Sequence, residues 1–254
     1  MPDTSASTSI ADKSAEISMC VRNLGVEYDS EFDNQKYGLA DLKSSVGGML
    51  LKKDNRSKVI ALKDLNFDIK SGERVGIVGP NGAGKTTLLK VLTGVLPPTS
   101  GSIQVLGHVT SLLYLRAGML PDASGFENIR IRGTLMGLLP DEIEALVQDV
   151  VEFSGLGEFL HLPIRTYSAG MAMRLSFAIA TGMQPEILVM DEWLSAGDAK
   201  FRDIATERMN QFAEKAGIII LATHAPQLVQ SVCTRKFVME RGEIVEDVEV
   251  IKQS

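Results

Sequence analysis

Nine consecutive residues, Gly79-Pro80-Asn81-Gly82-Ala83-Gly84-Lys85-Thr86-Thr87, combine glycines, a lysine and hydroxyls in the spacing G-x-x-x-x-G-K-[ST]. Gly79, Gly82 and Gly84 let the backbone turn so that successive N–H groups converge on a phosphate. Lys85 adds a full charge for the β and γ phosphates, and the Thr86 hydroxyl is a hard oxygen ligand suited to Mg²⁺. That chemistry is the binding of a magnesium nucleoside triphosphate such as ATP. A plain glycine-rich turn is the bland alternative, and the full match in its setting argues against it.

Three further groups fit the same chemistry. Asp191 and Glu192 follow the apolar run 187–190, at the carboxyl end of an expected buried strand, where ligands sit in open α/β sheets. Asp191 is placed to hold Mg²⁺, and Glu192 to take a proton from a water attacking the γ phosphorus. Alone, such a pair reads as a helix cap or solvated turn; behind a phosphate loop the metal and base reading wins. His224 ends the run 218–223 in the same topological place and reaches for the γ phosphate. Tyr167-Ser168-Ala169-Gly170-Met171 opens a helix with Ser168 at its cap. It is either an ordinary helix start or a second anion site.

These residues need a frame. Residues 74–78 predict a buried strand and residues 87–92 a helix, so strand, loop and helix follow in the required order. Strand signals recur at 19–21, 26–28, 59–62, 65–69, 102–106, 187–190, 218–221, 236–239 and 243–246, with a turn at 97–101. Residues from about 126 to 179 read as mostly helical. There Ile143, Leu146, Val147, Val150 and Val151 form an apolar stripe behind Pro140, expected to be core.

Bulk properties bound the function. At 254 residues the chain can bury roughly three quarters of its unfolded surface. With 26 Lys and Arg against 32 Asp and Glu, net charge −6, it lacks the basic bias of a nucleic-acid binder, and no nucleic-acid partner is expected. Two distant cysteines, Cys20 and Cys233, make neither a disulfide framework nor a metal cluster and suggest a reducing cytoplasm. No apolar run reaches the roughly 20 residues of a membrane span, and the polar start lacks a signal-peptide core. Residues 1–18 are too polar to bury themselves and read as a disordered tail. Residues 29–58 read as an insertion of unassigned structure.

The phosphate loop, a YSAGM similar to an LSGGQ signature, Asp191-Glu192, Asp198 and His224 occur in the order found in ABC-transporter ATPase domains, which residues 19–248 resemble. The resemblance implies an α/β fold: a P-loop NTPase (RecA-like) core with a mostly parallel sheet, an antiparallel β region and a helical subdomain at about 112–180, within one ATPase domain spanning 19–254. It implies that Ser168, Ala169 and Gly170 meet the nucleotide of a second subunit, that Asp198 lies in a loop facing that subunit, and that Tyr28, or alternatively Tyr37, stacks on adenine. The implied assembly is a head-to-tail homodimer with two ATP molecules at its interface. It would dock on an integral membrane permease at the cytoplasmic face of the inner membrane.

The variant signature, the Trp193-Leu194-Ser195-Ala196-Gly197-Asp198 segment and the insertion resemble subunits that export lipid-linked polysaccharides such as O-antigen, with the glycan handled mainly by the permease. Ala169 in place of a glycine is compatible with a helix start, where Ala is favoured over Gly by roughly 0.5–1 kcal/mol. One departure is unexplained: no glutamine occurs between Gln104 and Gln148, and the position expected to carry one falls near Tyr114 or Leu115. A clamp acting on DNA or ribosomes would usually add coiled coils or a second ATPase domain. A small-molecule kinase would have no use for Ser168, Gly170 and His224.

Overall fold

The computed structural model describes residues 17–30, 49–53, 56–192 and 199–251, and its strands fall into two sheets. One is antiparallel, ordered β2-β3-β1-β5, from β1 (Ser18–Ser30), β2 (Met49–Lys53), β3 (Arg56–Lys70) and β5 (Ser100–Leu106). The other contains β4 (Arg74–Val78), β6 (Val109–Ser111), β7 (Ile187–Asp191), β8 (Ile218–Ala222), β9 (Arg235–Glu240) and β10 (Glu243–Glu249). Its order is β10-β9-β4-β8-β7-β6, parallel throughout except for the final hairpin of β9 and β10.

The central strands are continuous apolar runs because helices and the other sheet cover both faces. Every residue of β8 is fully buried. One face packs with the antiparallel sheet and α1 (Lys85–Leu92) around Leu88, Leu89, Ile77 and Phe237. The other packs Leu188, Ile219 and Leu221 against Phe201, Met209 and Phe212 of α5 (Ala199–Lys215). The shorter α6 (Pro226–Val232) adds Val229 to that layer.

Between the sheets' strands the chain is helical, as expected, in α2 (Gly125–Leu135), α3 (Pro140–Ser154) and α4 (Ala169–Thr181), with short 3₁₀ turns at Gly157–His161 and Ile164–Thr166. Ser124 and Glu127 close a capping box at the start of α2: the Glu127 N–H donates to Ser124 Oγ at 3.2 Å, and the Ser124 N–H donates to the Glu127 carboxylate at 2.7 Å. Helix α4 belongs to two cores at once. Phe177 and Ala180 face the α5 layer, whereas Leu175, Ala178 and Ile179 pack with Leu146, Val147 and Val150 of α3. Arg208 of α5 ties the same helices, donating to Asp149 of α3 at 3.0 Å and to Thr181 of α4 at 2.7 Å.

Several expectations change in detail. The stretches 59–62 and 65–69 are one strand, because Asp64 takes a left-handed φ of 48° and absorbs the irregularity as a bulge. Val151 is 37% exposed, since a stripe of five residues is wider than the face α3 presents to α4. The expected turn at 97–101 overlaps the start of β5, with Gly101 at φ 76°. The three-residue β6 was too short to read from sequence. Within the 29–58 insertion, β2 pairs with β3 (Leu50 opposite Val59). The tail at 1–16 lies outside the described residues.

Candidate functional site

The phosphate loop joins β4 to α1, and its geometry follows from what presses on it. Gly84 caps α1 at φ 103°, and a Cβ there would lie 2.7 Å from Ala61 O. Gly79 has φ 154° and faces the Met239 carbonyl too closely to accommodate a side chain. Only glycine fits both constraints.

Lys85 folds back over the loop. It is 7% exposed, and its Nζ donates to Gly79 O at 2.7 Å and Pro80 O at 3.1 Å. Burial lowers its pKa, and the nearby Asp191 and Glu192 carboxylates partly oppose that shift. A largely buried ammonium whose hydrogen bonds go to neutral carbonyls is a strong attractor for phosphate.

Thr86 Oγ1 donates to Asp191 Oδ2 at 2.9 Å, which brings together the hydroxyl and carboxylate assigned to magnesium. No group of three or more His, Cys, Asp or Glu able to hold a metal occurs among the described residues. Two hard oxygen donors fit Mg²⁺, which commonly keeps waters and shares its shell with substrate phosphates.

A cleft of about 330 Å³ collects the rest, lined by Tyr28, Val59 and Ala61, by Asn81, Gly82 and Gly84 to Thr87, and by Asp191 and His224. Tyr28 is 40% exposed, so its ring is available for stacking, while Tyr37 lies outside the described residues. Val59 and Ala61 were not singled out from sequence. Their signal is in the pairing, since Val59 sits opposite Tyr28 in the β1–β3 register.

Glu192 stands just past β7 with φ 68°, a conformation costly for glutamate and a common mark of a functional position. It is held there by its own N–H donating to Ala222 O at 2.8 Å. Its carboxylate accepts from the His224 N–H at 3.3 Å, so Glu192 and His224 are coupled directly.

Ser168, Ala169 and Gly170 do not line this cleft. They sit exposed at the tip of α4, where Ser168 Oγ accepts from the Met171 N–H at 3.2 Å. Asp198 lies outside the described residues. Of the two positions near the missing glutamine, Leu115 is buried and Tyr114 is 46% exposed. Tyr114 therefore is the side chain available there.

A profile described as ABC transporter matches residues 62–195. The O-antigen export system ATP-binding protein RfbE of Yersinia enterocolitica is 43% identical over 189 residues, 74% of this chain and 79% of that protein. The O-antigen export system ATP-binding protein RfbB of Myxococcus xanthus is 45% identical, the match covering 70% of this chain but 40% of that protein. A teichoic acids export ATP-binding protein, TagH of Listeria monocytogenes, is 37% identical over 84% of this chain and 64% of its own length. In structure, a dimeric ATP-binding cassette in a post-hydrolysis state with ADP and phosphate superposes with TM-score 0.65 at 19% identity, covering 92% of this chain and 99% of that one. The fold is shared with such cassettes.

Proposed function

Because this chain belongs to the ABC transporter ATP-binding family, we propose that it is the ATP-hydrolysing subunit of an exporter moving a lipid-linked polysaccharide, of the O-antigen or a related class, through a separate membrane permease. The observation carrying the reading is the single cleft in which Tyr28, the phosphate loop, Asp191 and His224 meet. The names of the relatives support the cargo. Among the described residues no helix is long and apolar enough to cross a membrane. Attachment to the cytoplasmic face of the inner membrane then runs through the permease.

Each residue has a task. Tyr28 stacks on adenine, a contact to which Val59 and Ala61 add an apolar wall. The backbone amides of the loop from Gly82 to Thr87 that are not otherwise engaged, together with the Lys85 ammonium, take the phosphates. Thr86 and Asp191 hold Mg²⁺, which when bound neutralises charge on the phosphate oxygens. Glu192 accepts a proton as water forms its bond to the γ phosphorus; the bond to the bridging oxygen breaks and its electron pair leaves with ADP. In the structure the Glu192 carboxylate rests on the His224 amide. Its release from that contact, with the His224 side chain engaging the γ phosphate, readies the base.

The second half of each site comes from another copy. Ser168, Ala169 and Gly170 present exposed N–H groups and the positive end of α4 to the nucleotide on the partner, with Asp198 at the same interface. ATP closes the head-to-tail pair and hydrolysis opens it.

The test is the Glu192→Gln variant with Mg·ATP, followed by light scattering and phosphate release. A stable dimer with turnover near zero is expected. Turnover close to the parent protein, or only single chains at saturating nucleotide, would reject this assignment.

A further inference from the structure

The phosphate loop does not stand on its own residues. Behind it lies the turn that joins β9 to β10, with Glu240 paired to Glu243 and two residues between. Arg241 has φ 49° and Gly242 φ 85°, the doubly left-handed form that matches the twist of a two-residue hairpin. Both backbone groups of Gly242 are engaged. Its N–H donates to Ala83 O at 2.9 Å, and its carbonyl accepts from the Lys63 N–H at 2.9 Å. One residue thus bridges β3 and the phosphate loop.

The consequence follows from amide geometry. The Ala83 carbonyl and the Gly84 N–H belong to one planar, trans unit, so they point in opposite directions. Holding the carbonyl on the hairpin side turns the Gly84 N–H to the other side, where Gly84 lines the nucleotide cleft. The same hairpin sets the neighbouring turn of the loop, because the Met239 carbonyl crowds Gly79. Room for this bridge exists only without a side chain: a Cβ on Gly242 would lie 2.7 Å from Ala61 O and 3.2 Å from Leu62 Cα.

We propose that Gly242 is a positioning residue for nucleotide binding, fixing through Ala83 the direction in which the phosphate loop presents its amides. This rests on the reading of the loop as the ATP site. Gly242 touches no nucleotide itself.

Gly72 provides the control. It has φ 87°, nearly the same as Gly242, sits in the turn between β3 and β4 with none of the described residues within 4 Å of an added Cβ, and donates to Gly217 O at 2.7 Å. Alanine at either position meets the same backbone strain, but only at Gly242 does it press on Ala61 and Leu62 of β3 and so displace the residue whose N–H holds Ala83 O. The experiment measures Mg·ATP and Mg·ADP dissociation constants and thermal midpoints for Gly72→Ala, Gly242→Ala and Lys85→Ala. Gly72→Ala should bind both nucleotides within twofold of the parent. Gly242→Ala should bind both at least tenfold more weakly, since the loop serves the β phosphate they share.

A folded Gly242→Ala protein with dissociation constants within twofold of the parent overturns the proposal. So does weakening that follows the loss in thermal midpoint equally in Gly72→Ala and Gly242→Ala. If Lys85→Ala also leaves ATP affinity unchanged, the loop is not the nucleotide site and that earlier reading fails; loss in Lys85→Ala with none in Gly242→Ala sinks the positioning role alone.

Should Gly242→Ala not fold, amide hydrogen exchange on the Glu192→Gln protein decides. Mg·ATP should slow exchange at the Gly242 and Lys63 amides at least tenfold more than at Gly72. Equal slowing at all three overturns the proposal.

Discussion

The phosphate loop and the tip of α4 are the same device, a helix N-terminus aimed outward, yet the chain treats them in opposite ways. Around the loop every special feature has an internal cause: Gly79 and Gly84 are required by the carbonyls of Met239 and Ala61, Lys85 is buried, and Thr86 is tied to Asp191. At the α4 tip, Gly170 has no left-handed φ, and among the described residues an added Cβ would meet, outside its own helix backbone, just Ser168 Oγ at 3.9 Å. Nothing among the described residues requires a glycine there, although glycine weakens a helix. That absence fits the proposed approach of a second copy.

The most severe way to break this contrast is Glu192→Gln. Removing the proposed general base should lower turnover by about 10²–10⁴-fold while ATP affinity stays near that of the parent, because the loop proposed to bind is complete without it. A comparable fall in affinity would mean that binding and chemistry are not separable on this chain. Tyr28→Ala comes next: losing a stacked base costs roughly 1–3 kcal/mol, about 5- to 150-fold in nucleotide affinity, measurable by titration on the isolated chain.

Smaller effects probe the α4 tip. Ser168→Ala removes the cap bond to Met171 and should cost about 1 kcal/mol in denaturant unfolding. It should also slow turnover, with ATP affinity of the single chain unaltered. Gly170→Ala is the sharpest, for its two effects have opposite signs. Stability should rise by about 0.5–1 kcal/mol, while turnover falls as the methyl group blocks the partner's phosphates. Higher stability with unchanged turnover would reduce the tip to an ordinary helix start.

What the sequence made legible was what is contiguous in it. The loop, the acidic pair after β7 and the Ser168 cap are local patterns whose chemistry is spelled by neighbours, and the apolar runs 187–190 and 218–221 announced buried parallel strands. Contacts across long separations were not legible. Val59 joins the nucleotide wall through the β1–β3 register and Ala61 through the irregularity between Ile60 and Leu62, and the Gly242 bridge depends on a hairpin closing on a loop far earlier in the chain. The merging of 59–62 with 65–69 was hidden by Asp64, whose left-handed conformation no periodicity reveals. Val151 falls outside the core because residue spacing defines a stripe but not the width of the face that receives it.

The bridge from Gly242 to Ala83 also sets a timetable for biosynthesis. About 160 residues separate its two ends, so a ribosome adding 5–20 residues per second needs roughly 8–30 s after making the loop before its rear support exists. During that interval the nascent polypeptide carries the nucleotide motif without the means to shape it. Chains stalled at residue 234 should therefore fail to retain a fluorescent ATP analogue that released, full-length protein captures; retention by the stalled chains would show that the cradle sets itself.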